Sequence, residues 1–433
     1  MKRFIIFLTI LLASQIVVSE SDDKKLKHLI HVTYIGSRYP RYLNDTSKWE
    51  FNPMELTQVG MRQLYLLGRQ IRQKYFNKLP EMLYNPLKVE FRSIYSDEPT
   101  ITRSAYALAA GLYHGAGFNL NDAQVERAVP PIDPSKYVNY KKDLGNEALP
   151  HYYGVLPVMT LTEEPDYKFR TLHLCSAVNK TVKDELKVNE TLKSYIEGKE
   201  RNFSKGLYPK LKAIFGKDVN DMTEASDYTD YIIAAKYFSK ELNITGDEYK
   251  LINELHYTIK FEKLFANENV TKLIAHGFLD ELEKILVGID EGKNPKYIFT
   301  SYTLDEVHIL ALLKLLGFEY QGDKKPEIMP FSSSLIIEVN EDKTIKILFN
   351  NDTIKLKDKD PTVKGLIEWT KGNIVVNFTD RCHAEKAEMP EEWFMYTFIG
   401  AGVLLLILAA TWTFIIKCRR TDEEPSPGDS TIE

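Results

Sequence analysis

Apolar and polar positions along this chain repeat with two different periods, and the switches between them mark its elements. Residues 28–36 run apolar enough for a buried strand. Over residues 56–75 the period changes. Leu56, Val59, Leu64, Leu67 and Ile71 fall on roughly one helical face, with Thr57 and Gly60 at its start and Asn77 and Pro80 beyond its end. Residues 89–96 are rich in β-branched and aromatic side chains and predict a strand. Residues 104–112 predict a helix ending near Gly115 and Gly117. Strand, helix, strand, helix in that order argues for an α/β core on a largely parallel sheet.

From about residue 130 the character shifts. Proline punctuates residues 129–134, then lysine and glutamate dominate, with helical periodicity over 182–199 and 225–242. This predicts a helical insertion over about 130–260, covering a core built from 28–129 and 261–382. An amphipathic helix over 271–287, a buried strand over 296–302 and a helix over 305–316 ended by Gly317 follow. Residues 335–339 and 345–350 alternate like an antiparallel hairpin, and 383–392 form an acidic stalk. Internal repeats and low-complexity tracts are absent.

The two ends add a topology. Lys2 and Arg3, an apolar run over 4–18 and Ser19 predict a secretory signal peptide over 1–19. Residues 394–416 carry no charge and are long enough to span a bilayer. Trp393 and Tyr396 sit at the outer end, and Lys417, Arg419 and Arg420 follow the inner end, which puts the tail, 417–433, in the cytoplasm. The expectation is a single-pass type I membrane protein whose residues 20–393 face the cell exterior or the lumen of a lysosome-like compartment, with the lipid bilayer as one partner. Eight sequons agree, at Asn44, Asn179, Asn189, Asn202, Asn243, Asn269, Asn351 and Asn377, all on the outer side. Of three cysteines, Cys175 and Cys382 lie outside and are available for one disulfide. Cys418 lies at the inner face, either a palmitoylation site or a plain juxtamembrane residue.

Composition changes little: 433 residues, 44% hydrophobic and 27% charged, is globular. A net charge of −5 gives no reason to expect nucleic acid as a partner. Neither a metal site nor a cofactor is expected.

Four stretches carry a resemblance, in chain order. They are VTYIGSRYP at 32–40, LTQVGMRQLYLLGRQIRQKY at 56–75, VEFRSIYSDEPTITRSAYALAAGL at 89–112 and YIFTSYTLDEVHILALLKLLG at 297–317. Together they resemble the histidine acid phosphatases, branch 2 of the histidine phosphatase superfamily. The first is similar to RHGxRxP. The second matches LTxxGxxQxxxLGxxxRxxY at Leu56, Thr57, Gly60, Gln63, Leu67, Gly68, Arg72 and Tyr75. The resemblance implies a phosphoglycerate-mutase-like α/β core with an inserted helical cap, joined here to one C-terminal transmembrane helix. It also implies a Cys175–Cys382 disulfide, a frequent homodimer and acid phosphatase chemistry. In that chemistry a histidine forms a phosphoenzyme, arginines neutralise the transferring group, and an aspartic acid protonates the leaving oxygen.

The chain departs from that pattern at its catalytic points. Tyr34 and Ile35 stand where the family has Arg-His, and Asp305 and Glu306 where it has His-Asp. Arg38 is kept. Arg92 falls on a phosphate-binding arginine only with two residues inserted after Ser93; without a gap, Ile94 lands there. Local readings compete: Thr303-x-x-Glu306 fits a helix capping box, Asp305 suits a helix dipole, and Arg38 has Asp305 or Glu306 as prospective partners. The pocket is expected to be more negative than the family's. Among other histidines, His31 shares a strand face with Ile35 but lies about 13 Å away at about 3.3 Å per residue. His308 is expected on a different helix face from Glu306. His28, His114, His151, His173, His256, His276 and His383 match no catalytic position.

The expectation is therefore a family member without hydrolytic activity, a receptor, adhesion or scaffold protein binding an anionic ligand through Arg38 and Arg92. Two alternatives stay open. One is an acid phosphatase of altered mechanism, with Glu306 as base to an attacking water. The other is an inert structural surface glycoprotein.

Overall fold

The computed structural model describes residues 24–41, 53–80, 83–94, 99–115, 117–128, 145–160, 167–237, 242–318, 328–356, 358–383 and 411. The signal segment, Asn44, Cys418, the tail and all of 394–416 except Thr411 lie outside these residues. Among those described, no helix is long and apolar enough to cross a membrane. The chain divides into two units, Met1–Phe378 and Thr379–Glu433. The second contributes only the end of a short helix, Phe378–His383, and Thr411 to the described residues.

The first unit is built on a seven-stranded sheet of order β3-β2-β4-β1-β5-β6-β7. Its strands are β1 (Leu26–Tyr34), β2 (Val89–Ser93), β3 (Met159–Thr160), β4 (Phe299–Leu304), β5 (Ser334–Asn340), β6 (Ile345–Phe349) and β7 (Asp352–Ile354). β3, β2, β4 and β1 run parallel, whereas β5, β6 and β7 join antiparallel. The expected largely parallel sheet is thus half antiparallel, because the turns joining β5 to β6 and β6 to β7 are too short for a crossover. β1 has neighbours on both sides, and Leu29, Ile30 and Val32 are completely buried, which explains its continuous apolar run.

Helices cover the sheet. They are α1 (Gln58–Lys74), α2 (Pro99–Leu112), α3 (Ser176–Val188), α4 (Glu190–Gly206), α5 (Tyr208–Phe215), α6 (Met222–Tyr237), α7 (Gly246–Tyr257), α8 (Glu268–Asp290), α9 (Glu306–Leu315) and α10 (Val363–Asn373). α1 and α2 touch backbone to backbone: a Cβ on Gly68 would lie 2.3 Å from the Leu108 carbonyl oxygen, and one on Gly111 2.0 Å from that of Tyr65. Beneath them Leu64, Ile71, Leu108 and Leu112 bury against Leu29, Phe91 and Phe299 of the sheet. α4 to α7 have a core of their own around Phe203, Leu207, Leu211, Ile232, Ile252 and Leu255.

Boundaries moved where side chains compete with the backbone. The single helix expected over 182–199 is two, because Asn189 closes α3 and caps α4. Its Oδ1 accepts from the Leu192 N–H at 3.0 Å, and its Nδ2 donates to Glu185 at 3.0 Å. α2 starts earlier than expected, at Pro99, a residue suited to a first helical turn.

Candidate functional site

β1 and β4 are parallel neighbours that end together, Tyr34 opposite Leu304. In open α/β sheets the crevice beyond such strand ends is where ligands bind. A cleft of about 570 Å³ opens there. Tyr34, Ile35 and Arg38 reach it from the loop after β1, Ile94 from the end of β2, and Asp305 to His308 from the start of α9.

The second motif supports the first. Thr57 caps α1, its Oγ1 accepting from the Gly60 N–H at 2.9 Å, while its own N–H and hydroxyl donate to the Ser37 carbonyl at 2.9 and 2.8 Å. The Gln63 amide oxygen accepts from the Ser37 N–H at 2.9 Å, and the Ser104 hydroxyl from the Gly36 N–H at 3.2 Å. A Cβ on Gly36 would lie 2.5 Å from the Gly60 carbonyl oxygen. Both glycines are required by this close approach.

Arg38 is 9% exposed and bonds both terminal nitrogens to the Asp230 carboxylate of α6, at 3.1 and 2.8 Å. Asp230 was not among the partners the sequence offered. Burial alone would raise the Asp230 carboxyl. The charge and hydrogen bonds of Arg38, the Arg41 N–H at 2.9 Å and nearby Lys260 overcome that and hold it at about 2.

Glu306, 6% exposed, forms an ion pair with Lys260. Lys260 sits on a π-helical stretch, Thr258–Lys263, that continues α7. The expected Thr303–Glu306 capping box does not form. Asp305 is the cap, extended at φ −82° and ψ 170°, and its Oδ1 accepts from the His308 N–H at 3.0 Å. The Thr303 hydroxyl is buried with no hydrogen-bond partner among the described residues.

His308 lines the cleft, its Nδ1 2.6 Å from Asp305 Oδ1. The expected separation of His308 from Glu306 fails as an exclusion, because the cleft wraps around the first turn of α9 and takes in both. Tyr34 is buried and stacks on Phe331 at 5.5 Å. Burial and then the Glu306 charge push its hydroxyl well above the usual tyrosine range.

Arg92 is placed elsewhere. It pairs with Glu281 of α8, and its guanidinium lies 4.8 Å from the Phe169 ring centre. Glu281 also accepts from the Tyr302 hydroxyl at 2.9 Å. Ile94 lines the cleft, whereas Arg92 is not among its described lining residues.

The cleft carries charge of both signs. Among described lining residues, the cations Arg38, Arg41, Arg170, Lys260 and Lys263 face the acids Asp305 and Glu306. Sequence reasoning missed Arg41, Arg170, Lys260 and Lys263. The last two are spaced like any solvated helix face and lie in the π-helical stretch.

Of the other histidines, His31 is completely buried between Ser301 and Ser334 hydroxyls at 2.9 and 3.0 Å. Burial holds its pKa down to about 3. His28 donates to the Tyr297 carbonyl at 2.6 Å, and His256 meets the Thr229 hydroxyl at 3.0 Å. These are structural side chains. Cys175 and Cys382 are both disulfide-bonded. Asn179, Asn202, Asn243, Asn269, Asn351 and Asn377 are exposed and Asn189 is half-buried. No cluster able to hold a metal ion occurs among the described residues.

Sheet, cap and cleft together define a histidine phosphatase architecture, and comparison with known families agrees. Residues 16–359 match the family model of the histidine phosphatase superfamily (branch 2), and the chain belongs to that superfamily. It is 23% identical to a Caenorhabditis elegans protein provisionally named acid phosphatase 5, over 93% of this chain and 89% of that one. In fold it is similar to the phytase of Citrobacter braakii (15% identical, TM-score 0.53, covering 81% of this chain and 98% of that one). It is likewise similar to a Klebsiella phytase (13% identical, TM-score 0.55, covering 82% and 97%).

Proposed function

We propose that this chain is a membrane-anchored member of the superfamily that binds an anionic ligand without hydrolysing phosphate esters. One observation carries the reading: Ile35 directly follows β1, at the position where the family's chemistry needs a nucleophilic histidine. An aliphatic side chain has no atom to form the phosphoenzyme, and without it the two-step displacement has no first step. The second catalytic motif has changed as well. Glu306 is neutralised by Lys260, and Arg38 by Asp230. The surplus of cations around the cleft supports an anionic ligand. The signal segment, the apolar run over 394–416 and the outer sequons support anchoring with the folded unit outside the cell or in a lumen.

One observation favours a second reading, hydrolysis by direct water attack. His308 and Asp305 form a hydrogen-bonded pair in the cleft, and a histidine so oriented can act as a general base. Turnover of p-nitrophenyl phosphate at acidic pH by the full-length protein separates the two. The proposal expects no turnover above that of the Arg38→Ala variant. Turnover lost in His308→Ala or Glu306→Ala would establish an altered hydrolase instead.

A further inference from the structure

We infer that the cleft takes an amphipathic organic anion, with an apolar body on the cleft floor and a carboxylate or phosphate headgroup on Arg41, Arg170 and Lys263. This rests on the reading of the chain as a binding protein and names the class of ligand.

The floor argues for the body. Ile35 stands where the family's pattern has a histidine, and Ile94, beside it in the cleft, stands where the ungapped pattern has an arginine. Ile101 and Val307 extend that surface from the core, and Ile259 and Leu264 close over it from the cap. A small hydrated anion gains nothing from such walls, whereas an aliphatic or aromatic body leaves water by touching them. The volume, about 570 Å³, lies within the range typical of sites for small organic ligands.

The cations argue for the headgroup. Arg38 and Lys260 are neutralised by Asp230 and Glu306. Lys263 is half-buried, lines the cleft and makes no ion pair among the described residues. Arg41 is exposed, and Arg170 is half-buried with its Nη1 shielded from solvent. Ile259, Lys260 and Lys263 all come from the π-helical stretch Thr258–Lys263. Such stretches are rare and lie frequently at functional sites. Here one delivers an apolar contact and a cation to the same cleft.

Calorimetric titration of the full-length protein in lipid nanodiscs, with octyl phosphate, octanoate and inorganic phosphate, tests the inference. Empty nanodiscs provide the partition control. The expected result is saturable binding of an octyl compound and much weaker binding of inorganic phosphate. Preference between octyl phosphate and octanoate identifies the headgroup. Lys263→Gln should weaken octyl binding by about tenfold, as loss of one charge-assisted contact does. Ile259→Ser should weaken the octyl compound and leave inorganic phosphate unchanged. Inorganic phosphate binding as tightly as octyl phosphate would overturn the inference and leave the proposed function standing. Binding of none of the three would overturn both. Steady hydrolysis of octyl phosphate would overturn the inactive reading and leave the ligand class standing.

Discussion

The guanidinium of Arg38 lies in the cleft with both terminal nitrogens on the Asp230 carboxylate. The pair ties α6 to the loop after β1. The pair is largely shielded, with side-chain exposures of 10% and 19%. Removing one partner strands the other charge, so Asp230→Ala should destabilise by roughly 3 kcal/mol. The double variant Arg38→Met, Asp230→Leu should recover most of that loss, since an apolar pair of similar size avoids the desolvation cost. Urea unfolding midpoints at unchanged slope measure both. Equal destabilisation by single and double variants would mean that packing, not charge, sets the cost.

Among elements, the start of α9 gives the sharpest test. Asp305 caps it and also holds His308, while the Thr303 hydroxyl caps nothing. Asp305→Ala should lower stability by about 1 kcal/mol, the usual cost of a lost N-cap. Thr303→Val should be neutral or stabilising, because it removes a buried hydroxyl with no partner. Thermal melts of the two variants decide; the opposite order would restore Thr303 and Glu306 as the capping pair. The same logic explains the second motif. Leu56, Thr57, Gly60 and Gln63 touch no ligand-facing atom of their own. They fix the start of α1 against Ser37 and so aim the loop that carries Arg38.

For the whole molecule, the buried histidines set a pH dependence. Burial holds His28 and His276 at about 4 and His31 and His256 at about 3, against about 6.5 when unfolded. The unfolded chain then binds more protons than the fold at mildly acidic pH, so stability rises with pH across that window. It is fully present above about 6.5 and lost as pH falls through about 4 for His28 and His276 and about 3 for His31 and His256. Each histidine contributes up to about 1.4 kcal/mol per pH unit in that window. Asp230, held at about 2, adds a further loss below its unfolded value near 4. The melting temperature should therefore drop steadily on acidification from neutral pH. A flat profile would mean that these histidines take up protons within the fold.

The sequence by itself determined most strands and helices in their order and the motifs that resemble the superfamily's. These are legible because burial periodicity and turn chemistry act between near neighbours, as in the β1 run and the Thr57 start of α1. It did not contain the partners. Asp230 is 192 residues from Arg38, Glu281 is 189 from Arg92, and Lys260 is 46 from Glu306. Ion pairs across such distances leave no local pattern, because any lysine or glutamate on a helix looks the same until another element packs on it. The place where β2 ends likewise decided that Ile94 lines the cleft. A side chain's chemistry is written in the chain; which charge it meets, and whether that leaves it able to hold a ligand, is settled only when distant segments close around it.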